Sequence, residues 1–139
     1  MIKEKPKYYQ SKYEKLRGSS DKEVFYEARQ IFRKYDSKRR LPYVRSKYFD
    51  GQKIFLNMFY IHLGQKPQKE QRKRIAFVPC AMDLLRNSKV EPKMFIVNKI
   101  NYYRFYGKTK SGDKFAVQVM KDKKDNRYFM SCFTTNKEF

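Results

Sequence analysis

The sequence predicts an α+β domain in which N-terminal helices pack on one face of a C-terminal antiparallel β-meander of about four strands. Apolar residues recur at three- and four-residue steps through the first two thirds of the chain. The last third, from Met94 to Thr134, instead shows short β-rich runs (MFIV, YYRFYGKT, KFAVQV and YFMSCFTT) separated by polar turns. A chain of 139 residues suits one hydrophobic core of ordinary size.

Residues 1–19 alternate Lys and Tyr without an apolar face and read as a basic N-terminal arm ahead of a single domain over 20–139. Tyr8, Tyr9 and Tyr13 offer the alternative of an extension packed on that domain. Ser20 followed by Glu23 fits a capping box, and Val24, Phe25, Ala28, Ile31, Phe32 and Tyr35 form one helical face behind it. Pro42 bars continuation of a helix, and the segment after it reads as a strand ending in the Asp50-Gly51 turn.

From Gln52 to Leu63 the set Ile54, Phe55, Met58, Phe59, Ile61 and Leu63 predicts a second helix closed at Gly64. Pro67 and Pro79 sit where helices begin, which predicts one helix over KPQKEQRKRIAF and a short one over PCAMDLLRNS.

Within the meander, the loop Lys110-Ser111-Gly112 suits a turn closed by a left-handed glycine, and that sets a register. Gly107 then faces Phe115, Phe105 faces Val117, Tyr103 faces Val119 and Arg104 faces Gln118. One face is apolar. The other collects Arg104, Tyr106, Lys108, Ala116, Gln118 and Met120. The loop from Lys121 to Arg127 leaves the last strand free to slip; consistent patterning places Tyr128, Met130 and Cys132 inward and Phe129, Ser131 and Phe133 beside Gln118.

The 34 Lys and Arg against 14 Asp and Glu give a net charge of +20, and a field of that sign favours polyanions. Arg39, Arg40, Arg45 and Lys47 are interleaved with Tyr43 and Tyr48, a mixture suited to phosphate contact and base stacking. Lys69, Arg72, Lys73 and Arg74 form a second basic strip. Cys80 and Cys132 lie inside apolar runs and read as small core residues. One His and two distant Cys give no metal-binding pattern, and no nucleotide-cofactor motif occurs, so neither metal nor cofactor is expected. With no signal peptide and no membrane-spanning run, the expected setting is the cytoplasm, away from membranes.

The element order, the charge, and the runs FDGQKIFL, FVPCAMDLLRNS, YRFYGKTKSGDKFAVQV and YFMSCFTT resemble the superfamily of small toxin-like endoribonucleases. That superfamily includes barnase, EndoU, colicin tRNases and RelE, and the likeness is to its phage and mobile-element branches. The resemblance covers residues 21–134 and implies metal-independent RNA cleavage, with the substrate's 2′-hydroxyl attacking the adjacent phosphorus.

It implies Arg104 as the cation facing the transition state, Lys108 supporting the phosphate, Gln118 and Ser131 orienting groups by hydrogen bonds, and Lys53 or His62 moving the proton. Each has a plainer reading: Arg104 as a surface residue packed on an aromatic ring, Gln118 and Ser131 as a cross-strand pair, His62 as a helix-end residue. Two other functions fit the same residues: a non-catalytic nucleic-acid-binding module, or a factor whose basic face meets an acidic protein such as an inhibitor.

Overall fold

The computed structural model describes residues 6–35 and 41–139. After a two-residue strand, β1 (Tyr9–Gln10), comes helix α1 (Asp21–Arg33). The Ser20 hydroxyl accepts the Glu23 N–H at 3.2 Å, and the Glu23 carboxylate reaches back to accept the Ser19 N–H at 2.9 Å, so side chain and backbone cap each other at the helix start. This amphipathic helix buries Val24, Ala28 and Phe32.

The next hairpin consists of β2 (Tyr43–Ser46) and β3 (Gln52–Phe55), closed at Asp50-Gly51. The single helix expected over Gln52–Leu63 is thus divided: β3 takes the first four residues and α2 (Asn57–Leu63) the rest. Helices α3 (Gln68–Ile75) and α4 (Val78–Asn87) follow Pro67 and include Pro79, where the missing proline N–H costs nothing.

Strands β4 (Lys93–Val97), β5 (Ile100–Lys108), β6 (Lys114–Lys121) and β7 (Arg127–Thr134) form the antiparallel meander. Gly112, at φ 101°, closes the β5–β6 turn, and Arg104 pairs with Gln118. A β-carbon at Gly107 would come within 2.7 Å of the Phe115 ring and 3.0 Å of Leu84, so glycine permits α4 to approach the sheet there.

The expected four-strand meander is corrected in its extent. It is the middle of a seven-stranded mixed sheet of order β1-β5-β6-β7-β3-β2. β3 lies parallel to β7, pairing Ile54 with Arg127 and Phe55 with Tyr128, and β1 lies parallel to β5, pairing Tyr9 with Gly107. β4 and β1 share one edge of β5, β4 along residues 100–104 and β1 at 107–108. The physical reason is the demand of edge backbone groups for partners, which distant segments supply.

The last strand is also corrected. Gln118 pairs with Ser131 but Val119 pairs with Phe129, which leaves Met130 as the extra residue of a β-bulge. Cys132 faces inward and Ser131 outward as expected, whereas Phe129 turns inward and Tyr128 outward.

One core results. Phe32, Phe59, Ile75, Leu84 and Leu85 from the four helices, with Phe77 between α3 and α4, meet Ile54, Phe105, Phe115, Val117, Val119, Phe129 and Cys132 from the sheet. Both cysteines are buried there and free. The described part of the N-terminal segment is packed against this body. The Tyr9 hydroxyl donates to Asp83 at 2.9 Å, the Ser11 hydroxyl donates to the same carboxylate at 2.9 Å, and the Leu16 N–H donates to the Ala76 carbonyl.

Candidate nucleic-acid interface

Because strand side chains alternate, the helices cover one face of the sheet and the register names the residues of the other. This outer face carries Tyr43 and Arg45 from β2, Lys53 and Phe55 from β3, and Tyr128, Ser131 and Phe133 from β7. It continues through Lys114, Gln118 and Met120 of β6, Tyr102, Arg104, Tyr106 and Lys108 of β5, and Lys93 and Phe95 of β4. Among the described residues, no strand of the sheet contains Asp or Glu.

At its centre, rings and guanidinium groups form a continuous ladder. The Tyr102 and Phe95 rings stack with centroids 5.4 Å apart and planes within 13°. The Arg104 guanidinium lies 5.0 Å from the Phe95 centroid and 5.6 Å from that of Phe133. The guanidinium of Arg74 from α3 also lies over the Phe133 ring, 5.3 Å from its centroid. Arg104 also donates to the Gln118 side-chain oxygen at 3.1 Å, and Ser131 is the next residue across the ladder. The plainer reading of Arg104, as a ring-packed surface cation, describes its present contacts.

Among the described residues, no carboxylate lies within ion-pair distance of Arg45, Lys53, Lys93, Arg104, Lys108 or Lys114. Cations that stack on rings without a counter-charge are available to an incoming phosphate.

The structure thus brings Arg104, Gln118 and Ser131 together and distributes the rest. Lys108 is four residues along β5, about 13 Å away at strand rise, with its ammonium 4.4 Å over the Tyr8 ring. Lys53 shares no helix with His62; it sits on β3, 4.5 Å over Tyr43, with β7 and β6 between it and Arg104. Arg45 stacks on Tyr43 at 5.6 Å and donates to the Gly51 carbonyl, and Lys47 is exposed on the turn. Arg39 and Arg40 lie outside the described residues.

In the second strip, Lys69 and Lys73 are exposed, Arg74 is paired to Glu70 at 3.1 Å while reaching the ladder, and Arg72 is committed to structure. Its guanidinium binds Asp21 at 2.5 Å and the Gly18 carbonyl at 2.9 Å, clamping the start of α1.

His62, half-buried in the last turn of α2, has its pKa lowered by burial and by the charges of Lys66 and Arg74. Its imidazole is therefore neutral near pH 7 and lies in the electrostatic field of the Arg74 end of the ladder.

Phe95 and Tyr102 stand in the ladder without having been assigned from the sequence, whereas Arg74 was expected only as a member of the second basic strip. The first two were legible in principle, since Lys93 and Phe95 share a parity that the β4–β5 register carries onto the face of Arg104. The reach of Arg74 depends on how α3 docks beside β7, where the Cys132 thiol donates to the Arg74 carbonyl.

Among the described residues, no cluster of three His, Cys, Asp or Glu side chains is arranged to hold a metal ion, and no helix is long and apolar enough to cross a membrane. No family model, curated protein or solved structure matches the chain.

Proposed function

We propose that this protein binds single-stranded RNA across the outer face of its sheet. The observation that carries this reading is the ladder Tyr102, Phe95, Arg104, Phe133, Arg74, set in a face without acidic strand residues. Rings at this spacing offer stacking surfaces to unpaired bases, worth about 1–3 kcal/mol per base, and the unpaired cations offer phosphate contacts. A duplex keeps its bases stacked on one another and cannot use such rings. Gln118 and Ser131, beside the ladder, supply hydrogen-bonding groups for a ribose 2′-hydroxyl.

The test is fluorescence anisotropy with a labelled uridine-rich 12-nucleotide RNA, its DNA counterpart and an RNA duplex, in EDTA at several salt concentrations. Tight, salt-sensitive binding of the single strand, at least tenfold above the duplex, is the expected result. Equal affinity for the duplex removes the stacking argument, and no binding at low salt removes the reading altogether. If an acidic protein is instead the ligand, it binds tightly and the RNA does not displace it.

A second reading, RNA cleavage, is favoured by one observation: burial and the charges of Lys66 and Arg74 keep the His62 imidazole neutral, and Arg74 also stacks on Phe133 beside Arg104. In that reading His62 accepts the 2′-hydroxyl proton, the 2′-oxygen attacks phosphorus to close a 2′,3′-cyclic phosphate, and the 5′-oxygen of the next nucleotide leaves as a hydroxyl, protonated by water. Arg104 and Arg74 then face the growing negative charge. Running the anisotropy samples on a denaturing gel decides it: discrete new ends in EDTA, lost in Arg104→Ala with Ser131→Ala, establish cleavage, and intact RNA restricts the protein to binding.

A further inference from the structure

The outer face is not open along its whole length. Ala116 points away from the helices yet is fully buried. What covers this end is the segment after β7. The Thr135 N–H donates to the Lys114 carbonyl at 3.4 Å, and the Lys114 ammonium donates to the Lys137 carbonyl at 3.1 Å. Lys137 places its ammonium 4.4 Å over the Tyr106 ring. Phe139 then lies stacked on Tyr8, with centroids 5.1 Å apart and planes within 24°, and 5.8 Å from Tyr106. The ammonium groups of Lys114 and Lys108 stand 5.2 and 5.9 Å from its centroid.

An aromatic ring held between two tyrosines and flanked by two lysines is placed as a stacked base with its phosphate would be placed. We infer that Tyr8, Tyr106, Lys108 and Lys114 form a nucleotide subsite of the RNA-binding face, and that Phe139 occupies it until an RNA base displaces the ring. This rests on the proposed RNA-binding reading and adds a location and a regulation to it. The subsite joins three parts of the chain: Tyr8 ahead of β1, Tyr106 and Lys108 on β5, and Lys114 on β6. Its lysines have no carboxylate within ion-pair distance among the described residues, so the tail fills the stacking position and leaves the phosphate-binding charge unspent.

The segment is held by two backbone acceptors and by ring contacts that solvent reaches, since Phe139 is only half-buried and Asn136, Lys137 and Glu138 are exposed. Such a strap opens at low cost compared with the elements of the core. A ligand that competes with it loses part of its apparent affinity to the closed state.

The experiment compares the full chain with Phe139→Ala and Phe139→Trp for binding of the 12-nucleotide RNA, with one position replaced by the fluorescent base 2-aminopurine. Phe139→Ala is expected to bind about threefold to tenfold more tightly, with stronger quenching of the probe, whereas Phe139→Trp keeps the ring and shows no gain. Adding Tyr106→Ala to Phe139→Ala is expected to remove both the gain and the extra quenching; thermal melts confirm that each variant is folded. Unchanged affinity in Phe139→Ala overturns the inference, and so does weaker binding, which would make Phe139 part of the RNA-contacting surface. Absence of RNA binding in every variant, including wild type, overturns the RNA-binding reading and this inference with it.

Discussion

The Arg104 guanidinium lies over the Phe133 ring, 5.6 Å from its centroid, and no carboxylate among the described residues is within ion-pair distance of it. Among the described residues its hydrogen-bond partner is the neutral oxygen of Gln118. Arg104→Lys retains the charge but loses the planar group that stacks on Phe95 and Phe133. We expect affinity for single-stranded RNA to fall about tenfold in Arg104→Lys with an unchanged salt slope, a loss in the range of one stacking contact. Arg104→Ala removes a phosphate contact as well, and its slope is expected to fall by about 0.7. Titrations at three salt concentrations separate the two effects, and an Arg104→Lys variant that binds as wild type leaves the ring contacts without a role.

His62 makes a pH prediction for the cleavage reading. Burial, followed by the charges of Lys66 and Arg74, holds its pKa below the ordinary histidine value. A proton acceptor works in its deprotonated form, so the rate of metal-independent cleavage is expected to rise with pH through this lowered pKa and to be flat before neutrality. His62→Gln is expected to abolish cleavage while RNA affinity stays within about twofold, because the imidazole carries no charge at pH 7. A rate that keeps climbing well above pH 7 assigns the proton to another group.

The parts of this architecture that follow local rules were legible in the residues. The Ser20 cap, the prolines at helix starts and the Gly112 turn fix their elements within a few positions, and the turn alone sets the β5–β6 register that places Arg104 opposite Gln118. What was not legible depends on partners far along the chain. Gln52–Phe55 continues the apolar pattern of the helix after it, and becomes a strand because Arg127 and Tyr128 present an edge some seventy residues later. Tyr9–Gln10 is too short to signal a strand, and is fixed by β5 and by Asp83. The Met130 bulge follows a loop whose length leaves the register open. For the site, alternation gave the face of Arg104, but the approach of Arg74, Tyr8 and Phe139 is decided by docking.

Asp83 ties the N-terminal segment to α4. This buried carboxylate accepts from the Tyr9 and Ser11 hydroxyls, the Lys12 N–H and the Asn87 side chain. Burial alone raises its pKa, but the hydrogen bonds outweigh that and leave it below the ordinary aspartate value. A folded pKa below the unfolded one means that the stabilisation is fully present above the unfolded value of about 3.9 and is lost as pH falls through the folded value. Asp83→Ala is expected to cost about 3 kcal/mol at pH 7, since four donors lose a charged acceptor in a buried setting. The difference from wild type is expected to shrink toward pH 2. Urea midpoints at the two pH values check this, and hydrogen exchange at Ser11 and Lys12 shows whether the segment has come free. A constant difference across that range assigns the cost to packing instead.

The bulge at Met130 can be tested through the two aromatic residues before it. Phe129 is fully buried, stacked on Phe59 with centroids 4.6 Å apart and planes within 8°, and 6.4 Å from Phe32. Tyr128 is turned to the outer face beside Phe55, its hydroxyl 3.4 Å from Asp122. Phe129→Tyr therefore places a hydroxyl in an apolar stack and is expected to cost about 2 kcal/mol. Tyr128→Phe removes a hydroxyl from a half-exposed position and is expected to change stability by less than about 0.5 kcal/mol. Phe129→Ala, which empties the stack, is expected to cost about 3–5 kcal/mol. A regular ladder without the bulge would exchange the two environments, so Tyr128→Phe and Phe129→Tyr would each be tolerated or stabilising. Denaturant midpoints of the single variants distinguish the two arrangements, because the sign and size of the Phe129→Tyr effect depend on which face of β7 that ring occupies.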